Sequence, residues 1–356
     1  MDATAYESDD PFPSTTVGLL YNLKRGITGG PEDAEAEYDQ IDTVYAIQRA
    51  LEAEGIRVEL MEADRDLFAK LRETPIDIAF NIAEGIGGRG REGQIPAVME
   101  LLGIPCTGSD ASTLCLALDK ALTKRLMSTY HVRTPRYAIV SREAPVCKKL
   151  NFPVIVKPNA EGSSKGISDL SIASTPGELK ALIHRHLDLY GTPMLVEEYI
   201  EGREFTVGVL GNGKNTVVFS PMEIVYQKPT QDAFHVYSYT VKQHYQEYVS
   251  YQCPALLNAK QEKEMTDTTK KIYQALNCHD FARVDFRMTQ DGAIYFIEIN
   301  PLPGLAPGYS DYPMLAEMCG VSYQALVRGI LTAAARRTGV DVRYEEYEDG
   351  SFCRAL

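Results

Sequence analysis

The sequence predicts an α/β protein, with a doubly wound parallel α/β unit at its N-terminal end and mixed α+β structure after it. Over residues 16–103, short apolar runs alternate with helical patterns, which is typical of a parallel sheet. Further along, apolar runs follow one another across turns that contain glycine, which is typical of antiparallel strands. A length of 356 residues leaves room for two or three packed units, each with its own core.

The composition is that of an ordinary globular protein and narrows the range of partners. A formal net charge of −13 argues against a nucleic acid or an anionic membrane as the main partner. The 7 cysteines have no C-x-x-C spacing, so they indicate reduced thiols in a cytoplasmic protein. No apolar run resembles a secretory signal or reaches the roughly 18 residues of a membrane span. We therefore expect a cytoplasmic protein whose partners are small molecules.

The N-terminal unit is predicted from its alternating strand and helix patterns. The strands are expected at 16–21, 58–60 and 76–80, and the helices at 38–54 and 66–73. Ligands of doubly wound units bind beyond the carboxyl ends of the strands. The glycine-rich stretch 81–94 follows the third strand, so its arginines and glutamates indicate contacts with a polar substrate. A plain flexible loop is the alternative.

Two further helices are predicted before residue 131, after which prolines become frequent. They cover residues 95–102 and 116–130, and the second carries Lys120 and Lys124 one turn apart. Like charges at this spacing repel each other, so these lysines either lie in solvent or face an anion. We place a domain junction just before Lys120. The resulting division is a tail at 1–14, an N-terminal domain at 15–118, a central part at 119–202, a C-terminal part at 203–345 and a tail at 346–356.

The central part contains a candidate site for phosphate. A strand at 137–140 and another at 154–158 precede residues 159–167, which combine small residues, hydroxyls and a lysine. Such a turn offers free backbone N–H groups to an anion, although the spacing is not that of a Walker A loop. A helix at 176–190 then leads to a strand, glycine turn and strand over 194–209. Its acidic residues either accept hydrogen bonds from adenine and ribose or are plain surface charge.

The stretch 281–304 carries the strongest chemical signal. Two apolar-rich runs flank Asp291-Gly292, which predicts a hairpin with a two-residue turn. That register places Asp285 opposite Glu298 and Arg283 opposite Asn300. Two opposed carboxylates repel each other unless a cation lies between them, and Mg²⁺ prefers such oxygen ligands. The alternatives are a solvated hairpin face with one salt bridge, or a register shifted by one residue.

Taken together, these stretches resemble the ATP-grasp superfamily, and most closely its D-alanine–D-alanine ligase branch, over about residues 17–331. The resemblance implies an ATP-grasp fold, in which two α+β subdomains clasp ATP, and allows a homodimer. It implies that Asp285, Glu298 and Asn300 hold two magnesium ions, with manganese as an alternative. It implies catalytic roles for Arg283, the Gly304 backbone and the Ser163 lid loop. The implied ATP-binding residues are Lys120, Lys157, Ser163, Ser164, Glu197, Glu198, Tyr199, Ile200, Glu204 and Lys242.

The motifs that bind substrates in this branch are changed here. Asn81-Ile82 corresponds to the branch's His-Gly, and Gln243 replaces a tyrosine that closes over the first amino acid. Residues 304–311 replace the branch's terminal Gly-Met-Thr-x-x-Ser-Leu. The substrate contacts that we expect come from Glu37, Asn81, Glu92, Gln243, Tyr309 and Ser310.

The resemblance implies a carboxylate–amine ligase that uses ATP and passes through an acylphosphate. The first hypothesis is an enzyme that joins amino acids with a non-standard acceptor. The second is an enzyme that joins an amino acid to another metabolite or to a carrier-bound acyl group. The third is an inactive nucleotide-binding module, against which the retained lysines and opposed carboxylates argue.

Overall fold

The computed structural model describes residues 15–26, 35–142, 149–162, 171–191, 193–227 and 234–344. Within these ranges the strands form three sheets. The strands are β1 (Thr16–Tyr21), β2 (Arg57–Glu62), β3 (Ile78–Asn81), β4 (Tyr137–Val140), β5 (Val154–Pro158), β6 (Ile172–Ala173), β7 (Met194–Glu198), β8 (Arg203–Leu210), β9 (Val217–Val218), β10 (Met222–Tyr226), β11 (Val249–Gln252), β12 (Phe281–Met288) and β13 (Ile294–Asn300).

The helices lie between these strands and after them. They are α1 (Ile41–Glu52), α2 (Leu67–Glu73), α3 (Gln94–Leu102), α4 (Ala111–Leu118), α5 (Lys120–Thr129), α6 (Pro176–Tyr190), α7 (Tyr239–Gln243), α8 (Tyr245–Tyr248), α9 (Ala259–Ala275), α10 (Asp311–Met318) and α11 (Tyr323–Thr338).

The first sheet is parallel, in the order β2-β1-β3, as the alternating pattern predicts. Helix α1 begins three residues later than predicted, because the residues before it pair with the chain after β1. Asp39 N–H donates to the Asn22 carbonyl at 3.0 Å, and Lys24 N–H donates to the Asp39 carbonyl at 3.0 Å. The backbone at Gln40 is extended and forms the N-cap. This pairing holds the segment before α1 beside the end of β1.

The single helix predicted at 116–130 is wrong, since two helices, α4 and α5, meet at Asp119. Asp119 has extended backbone angles, φ −81 and ψ 94, and its carboxylate accepts from Leu122 N–H at 2.9 Å. This is an N-cap that starts α5. The same carboxylate accepts from the Asn159 amide at 2.8 Å, which fixes the start of α5 against the loop after β5.

The other two sheets are antiparallel. The central sheet has the order β4-β7-β5-β6 and is covered by α6, whose Leu179 and Leu187 pack on its apolar residues. The large sheet has the order β11-β10-β8-β12-β13, with β9 paired to β8. Strands β8 and β12 pair over eight residues. The strands predicted at 137–140 and 154–158 and the helix at 176–190 have the predicted limits.

One hydrophobic cluster joins the two ends of the described chain. Ile47 and Leu51 of α1 share it with Leu326 and Ile330 of α11. At its edge the buried carboxylate of Glu54 accepts from Arg328 at 2.8 Å and from Gln324 at 2.9 Å. The N-terminal sheet therefore packs against the last described helix. In the described ranges, no helix has both the length and the apolar character needed to cross a membrane.

Candidate active site

The hairpin of β12 and β13 brings the four predicted residues together. Arg283 pairs with Asn300, and Asp285 pairs with Glu298, which confirms the register predicted from the sequence. Because side chains alternate along a strand, both pairs lie on one face of the sheet.

The predicted two-residue turn is nevertheless wrong. Thr289 N–H donates to the Ala293 carbonyl at 3.0 Å, so the loop holds three residues, 290–292. A three-residue loop alone would shift the pairing by one residue. The register changes between Asp285 and Phe286, which leaves Ile297 as an extra residue on β13. This β-bulge compensates for the longer loop and restores the predicted pairs.

The two opposed carboxylates have different surroundings. Asp285 accepts from Arg283 Nε at 3.1 Å and from Nη2 at 3.0 Å, and Glu298 lies 3.3 Å from the Lys120 ammonium. Burial raises the pKa of Asp285, and the charge of Glu298 adds to this effect. Burial would also raise the pKa of Glu298, but Lys120, Lys157 and Arg283 together lower it to about 2. Glu298 is therefore ionised at neutral pH.

These residues fit a hard cation. Oε2 of Glu298 is buried, and among the described residues it has no hydrogen-bond partner of regular geometry. The amide oxygen of Asn300 accepts from Leu302 N–H at 3.0 Å and keeps a second lone pair. Within the described ranges, no three His, Cys, Asp or Glu side chains form a metal-ligand group. A cation would thus take two carboxylates and an amide from the protein, and further oxygens from phosphate and water, as Mg²⁺ commonly does.

Buried lysines surround the carboxylate of Glu197. Lys157 lies 2.6 Å from one oxygen and Lys124 lies 3.0 Å from the other. Burial alone would raise the pKa of Glu197, but the two ammonium groups lower it. Lys120 also turns inwards and donates to the Glu161 carbonyl. Of the two alternatives for Lys120 and Lys124, the structure therefore has both lysines facing anionic carboxylates and not solvent.

An open cleft of about 1080 Å³ collects most of the predicted nucleotide-binding residues. It lies between the central sheet and the large sheet. The site residues that line it are Glu92, Lys120, Lys157, Glu197, Glu198, Tyr199, Ile200, Glu204, Lys242, Arg283, Asp285, Glu298 and Asn300. Ser163 and Ser164 lie outside the described residues.

Glu204, which the family resemblance assigns to the ribose of ATP, already has two partners. Its Oε2 accepts from the Tyr226 hydroxyl at 2.7 Å and from Arg287 at 3.0 Å. Arg287 also lies 4.7 Å from the centre of the Tyr199 ring. Burial raises the pKa of Glu204, although Arg287 opposes this shift. Neither Arg287 nor Tyr226 was predicted, because each lies on an apolar strand and carries no motif.

A second cavity, of about 860 Å³, adjoins the cleft and shares Lys242, Arg283 and Asn300 with it. Four further predicted residues line it, namely Glu37, Gly304, Tyr309 and Ser310. A Cβ atom at Gly304 would lie 2.8 Å from the Ser310 hydroxyl, so any larger residue there would displace the Ser310 side chain. Burial, with help from Arg283, lowers the pKa of Lys242, while Asp311 opposes the shift.

The other predicted substrate residues are placed differently. Asn81 is buried at the end of β3 and lines neither cavity, and its amide nitrogen has no hydrogen-bond partner in the structure as described. Gln243 lines neither cavity but donates to the Tyr309 hydroxyl at 2.8 Å. Glu92 lines the cleft, where burial and the charge of Glu37 raise its pKa to about 8.

Sequence reasoning missed two acidic residues at these cavities. Asp311 begins α10 and accepts from Arg283 Nη1 at 3.3 Å and from the Tyr237 hydroxyl at 3.0 Å. Glu84 follows β3 and lines the second cavity, where Asn81 was expected. Both could have been found, because Ser310-Asp311 is a helix-start pattern and Glu84-Gly85 stands directly after a strand.

Comparisons with known proteins agree with this geometry. A family model described as the D-ala D-ala ligase C-terminus matches residues 130–332. A D-alanine–D-alanine ligase of Pseudomonas fluorescens is 34% identical over 299 residues, which cover 83% of this chain and 86% of that protein. A D-alanine–D-alanine ligase of Syntrophotalea carbinolica is also 34% identical and covers 89% of this chain and 98% of its own. An uncharacterized protein of Sinorhizobium fredii, y4sG, is 35% identical over 83% of this chain and 87% of its own.

The fold has a counterpart among solved structures. The crystal structure of a D-alanine–D-alanine ligase from Bacillus anthracis, complexed with ATP, superposes with a TM-score of 0.71. It covers 92% of this chain and 99% of its own, at 22% sequence identity. The fold is therefore the ATP-grasp fold. The chain belongs to the D-alanine–D-alanine ligase family and is an ATP-dependent ligase that forms carbon–nitrogen bonds.

Proposed function

We propose that this enzyme joins the carboxylate of one amino acid to the amine of a second substrate through an acylphosphate, with ADP and phosphate as products. The observation that supports the proposal is that the second cavity adjoins the nucleotide cleft. Arg283 and Lys242 line both, so a phosphate in the cleft and a carboxylate in the second cavity would come together beside these two cations.

In the first step the carboxylate attacks the γ-phosphate of ATP. Phosphoryl transfer needs positioning and charge stabilisation more than covalent chemistry from the protein. Lys120, Lys157 and Lys242 supply point charges to the phosphates. In the protein as described, Lys120 contacts the carboxylate of Glu298 and Lys157 contacts that of Glu197, so binding of phosphate to these two lysines exchanges one anion for another.

Asp285, Glu298 and Asn300 would hold magnesium, which when bound offsets the negative charge of the phosphates. We propose two ions, with Mn²⁺ as a substitute. The register of the hairpin supports this assignment, since it places the two carboxylates directly opposite each other.

In the second step the amine attacks the acylphosphate and phosphate leaves. A guanidinium has five N–H groups, and Arg283 uses three of them on Asp285 and Asp311. The remaining two, with the backbone N–H of Gly304, are available to the tetrahedral oxyanion, where one preorganised donor contributes about 3 kcal/mol. By the family resemblance, closure of the Ser163 loop would exclude water from the acylphosphate.

The acceptor is proposed to differ from D-alanine. Gln243 occupies the position of the tyrosine that closes over the first amino acid in the family, and its amide already contacts Tyr309. A larger acyl partner is the second candidate. It is favoured by a third cavity along the glycine-rich loop, lined by Arg89, Arg91 and Arg125.

Phosphate release from ATP and Mg²⁺ across single and paired D- and L-amino acids tests the proposal, with the mass of each product measured. Release that depends on one pair, with a product lighter than the two substrates by one water, is the expected result. ATP binding without release for any pair would overturn the amino-acid assignment. The homodimer and the three-part division at 118 and 202 also remain proposals, which light scattering and limited proteolysis would test.

A further inference from the structure

Two cysteine side chains lie in contact outside both cavities described above. The Sγ atoms of Cys253 and Cys319 are 3.5 Å apart, although the two residues are 66 positions apart in sequence. Cys253 directly follows β11, and Cys319 directly follows α10. Neither residue lines the nucleotide cleft or the second cavity. The tertiary fold, and not a local motif, brings these two thiols together.

The pair lies where a small oxidant has access to it. Cys253 and Cys319 are both partly exposed and pack at the rim of the hydrophobic cluster that joins α1 to α11. Cys319 follows Met318, which is 41% exposed, and precedes the exposed Gly320. Cys278, by contrast, is buried. Oxidation is therefore expected at the pair before it occurs at Cys278.

The contact between the two thiols gives them different reactivity. The hydrogen bond between them raises the pKa of Cys253 and lowers that of Cys319 to about 7. The Ser220 backbone also lowers the pKa of Cys319, whereas burial opposes the shift. At Cys106 and Cys278, burial raises the pKa to about 12. Because the thiolate is the reactive form of cysteine, Cys319 is the expected nucleophile of the pair.

A bound metal accounts for the pair less well than a disulfide does. Zn²⁺ takes thiolate ligands, but a structural zinc site needs about four ligands. In the part of the chain that the structure describes, no three His, Cys, Asp or Glu side chains form such a group. A disulfide needs only the two sulfur atoms, which would have to approach each other by about 1.5 Å.

We propose that Cys253 and Cys319 form a reversible disulfide when the protein meets hydrogen peroxide. The Cys319 thiolate attacks one oxygen of the peroxide, which breaks the O–O bond and gives a sulfenic acid and hydroxide. The Cys253 sulfur then attacks the sulfenic sulfur, and the sulfenic hydroxyl leaves as water with the Cys253 proton. The hydroxide takes up the proton that Cys319 lost on ionising, so two thiols and one peroxide give one disulfide and two waters. A dithiol reverses the reaction by exchange.

The disulfide would close the segment of chain that carries the site hairpin. Residues 253–319 contain β12 and β13, and with them Asp285 and Glu298. Joining the ends of this segment removes conformations of the unfolded chain and so stabilises the folded chain. The oxidised protein should therefore unfold at a higher urea concentration than the reduced protein.

The test uses the reduced full-length protein, with hydrogen peroxide as the probe. After the exposure to peroxide, the free thiols are counted and blocked with an alkylating reagent. Mass spectrometry of the digested protein then identifies peptides that are joined through a disulfide. We expect the loss of two of the 7 thiols, with Cys253 joined to Cys319 as the main product, and the recovery of both thiols with dithiothreitol.

Three single substitutions by serine assign the roles of the two thiols. Cys253→Ser leaves Cys319 without its partner, so a sulfenic acid should accumulate at Cys319 and react with dimedone. Cys319→Ser removes the nucleophile and should leave Cys253 reduced. Cys115→Ser is the matched control, because Cys115 is also partly exposed but contacts the Gly90 carbonyl, and it should keep the crosslink. Thermal unfolding checks the fold of each variant.

Two results would overturn the proposal. One is that Cys253 and Cys319 stay reduced while other thiols react, including Cys147 and Cys353, which lie outside the described residues. The other is a crosslink that forms equally well in urea, since the contact would then owe nothing to the fold. An unchanged urea midpoint in crosslinked protein would overturn the stabilisation alone. The test needs no turnover, so its failure and that of the proposed function are distinguishable.

Discussion

The ammonium group of Lys124 donates to the carbonyl of Ile297, the extra residue of the β13 bulge, at 2.8 Å. The same nitrogen lies 3.0 Å from Glu197 and donates to the Thr134 hydroxyl at 2.9 Å. Lys124 is 1% exposed. It therefore satisfies the carbonyl that the bulge leaves unpaired and ties the hairpin to the central sheet.

Lys124→Met should destabilise the fold, because it leaves the Ile297 carbonyl and one oxygen of Glu197 without their partner. Breaking a buried pair from one side typically costs about 3 kcal/mol in the free energy of unfolding. Urea unfolding measures this change. Lys263→Met is the matched control, since Lys263 pairs with Asp267 on the surface and should cost less than about 0.5 kcal/mol. Equal effects of the two variants would refute the role of Lys124.

Glu298→Gln should abolish ADP release that depends on Mg²⁺ while the protein stays folded. The substitution removes one of the two opposed carboxylates that a cation would bind, the one whose pKa the neighbouring cations lower to about 2. Turnover as a function of Mg²⁺ concentration measures the effect, and circular dichroism checks the fold. Glu264→Gln, on the exposed side of α9, is the control. Near-normal turnover in Glu298→Gln would argue against the metal assignment.

Asp311→Asn should lower kcat about tenfold and leave the KM for ATP nearly unchanged. Asp311 holds one end of the Arg283 guanidinium and accepts from the hydroxyls of Tyr237 and Tyr251. An amide carries no charge, so Arg283 would turn toward Asp285. A tenfold loss in kcat corresponds to about 1.4 kcal/mol of transition-state stabilisation. Asp188→Asn, at an exposed ion pair, provides the control. A change confined to the KM for ATP would contradict this role.

Asp39→Asn should stabilise the protein at pH 8 but not at pH 4. Burial raises the pKa of Asp39 from 3.8 to about 7, with Lys24 opposing the shift. Between pH 3.8 and about pH 7 the folded state binds more protons than the unfolded state. Asp39 therefore makes the free energy of unfolding fall as pH rises through this range. Asparagine removes this dependence, which is at most about 4 kcal/mol for a shift of this size. Thermal unfolding across pH would show it, and an equal gain at pH 4 would contradict it.

The sequence predicts the chemistry of the hairpin better than its geometry. Apolar alternation and an Asp-Gly pair predict Asp285 opposite Glu298, and this pairing is observed because the bulge at Ile297 offsets the third residue of the loop. They do not distinguish a two-residue loop from a three-residue loop followed by a bulge. The bulge is bound by Lys124, which donates to Ile297 from a helix 173 residues away in sequence. No local pattern contains that contact.

The errors elsewhere have similar causes. The apolar pattern runs on through Asp119, but the N–H groups of Lys120 and Ala121 donate to Asn159 and not to helical carbonyls, and this divides the helix. Asn81 was predicted because Asn81-Ile82 corresponds to the branch's His-Gly, whereas the chain needs three more residues to reach the cavity at Glu84. Arg91 was not expected to engage Glu37, since the two are 54 residues apart. The predictions for Ser163 and Ser164 stand as predictions.

The packing of α1 against α11 bears on how the protein is made. During synthesis the N-terminal sheet and α1 leave the ribosome long before residues 323–338 exist. Until then Ile47 and Leu51 lack the apolar surface of Leu326 and Ile330, and Glu54 lacks Arg328. We expect the nascent N-terminal unit to stay loosely packed and able to bind chaperones until α11 has been synthesised. A stop codon before α11 should therefore give an insoluble product.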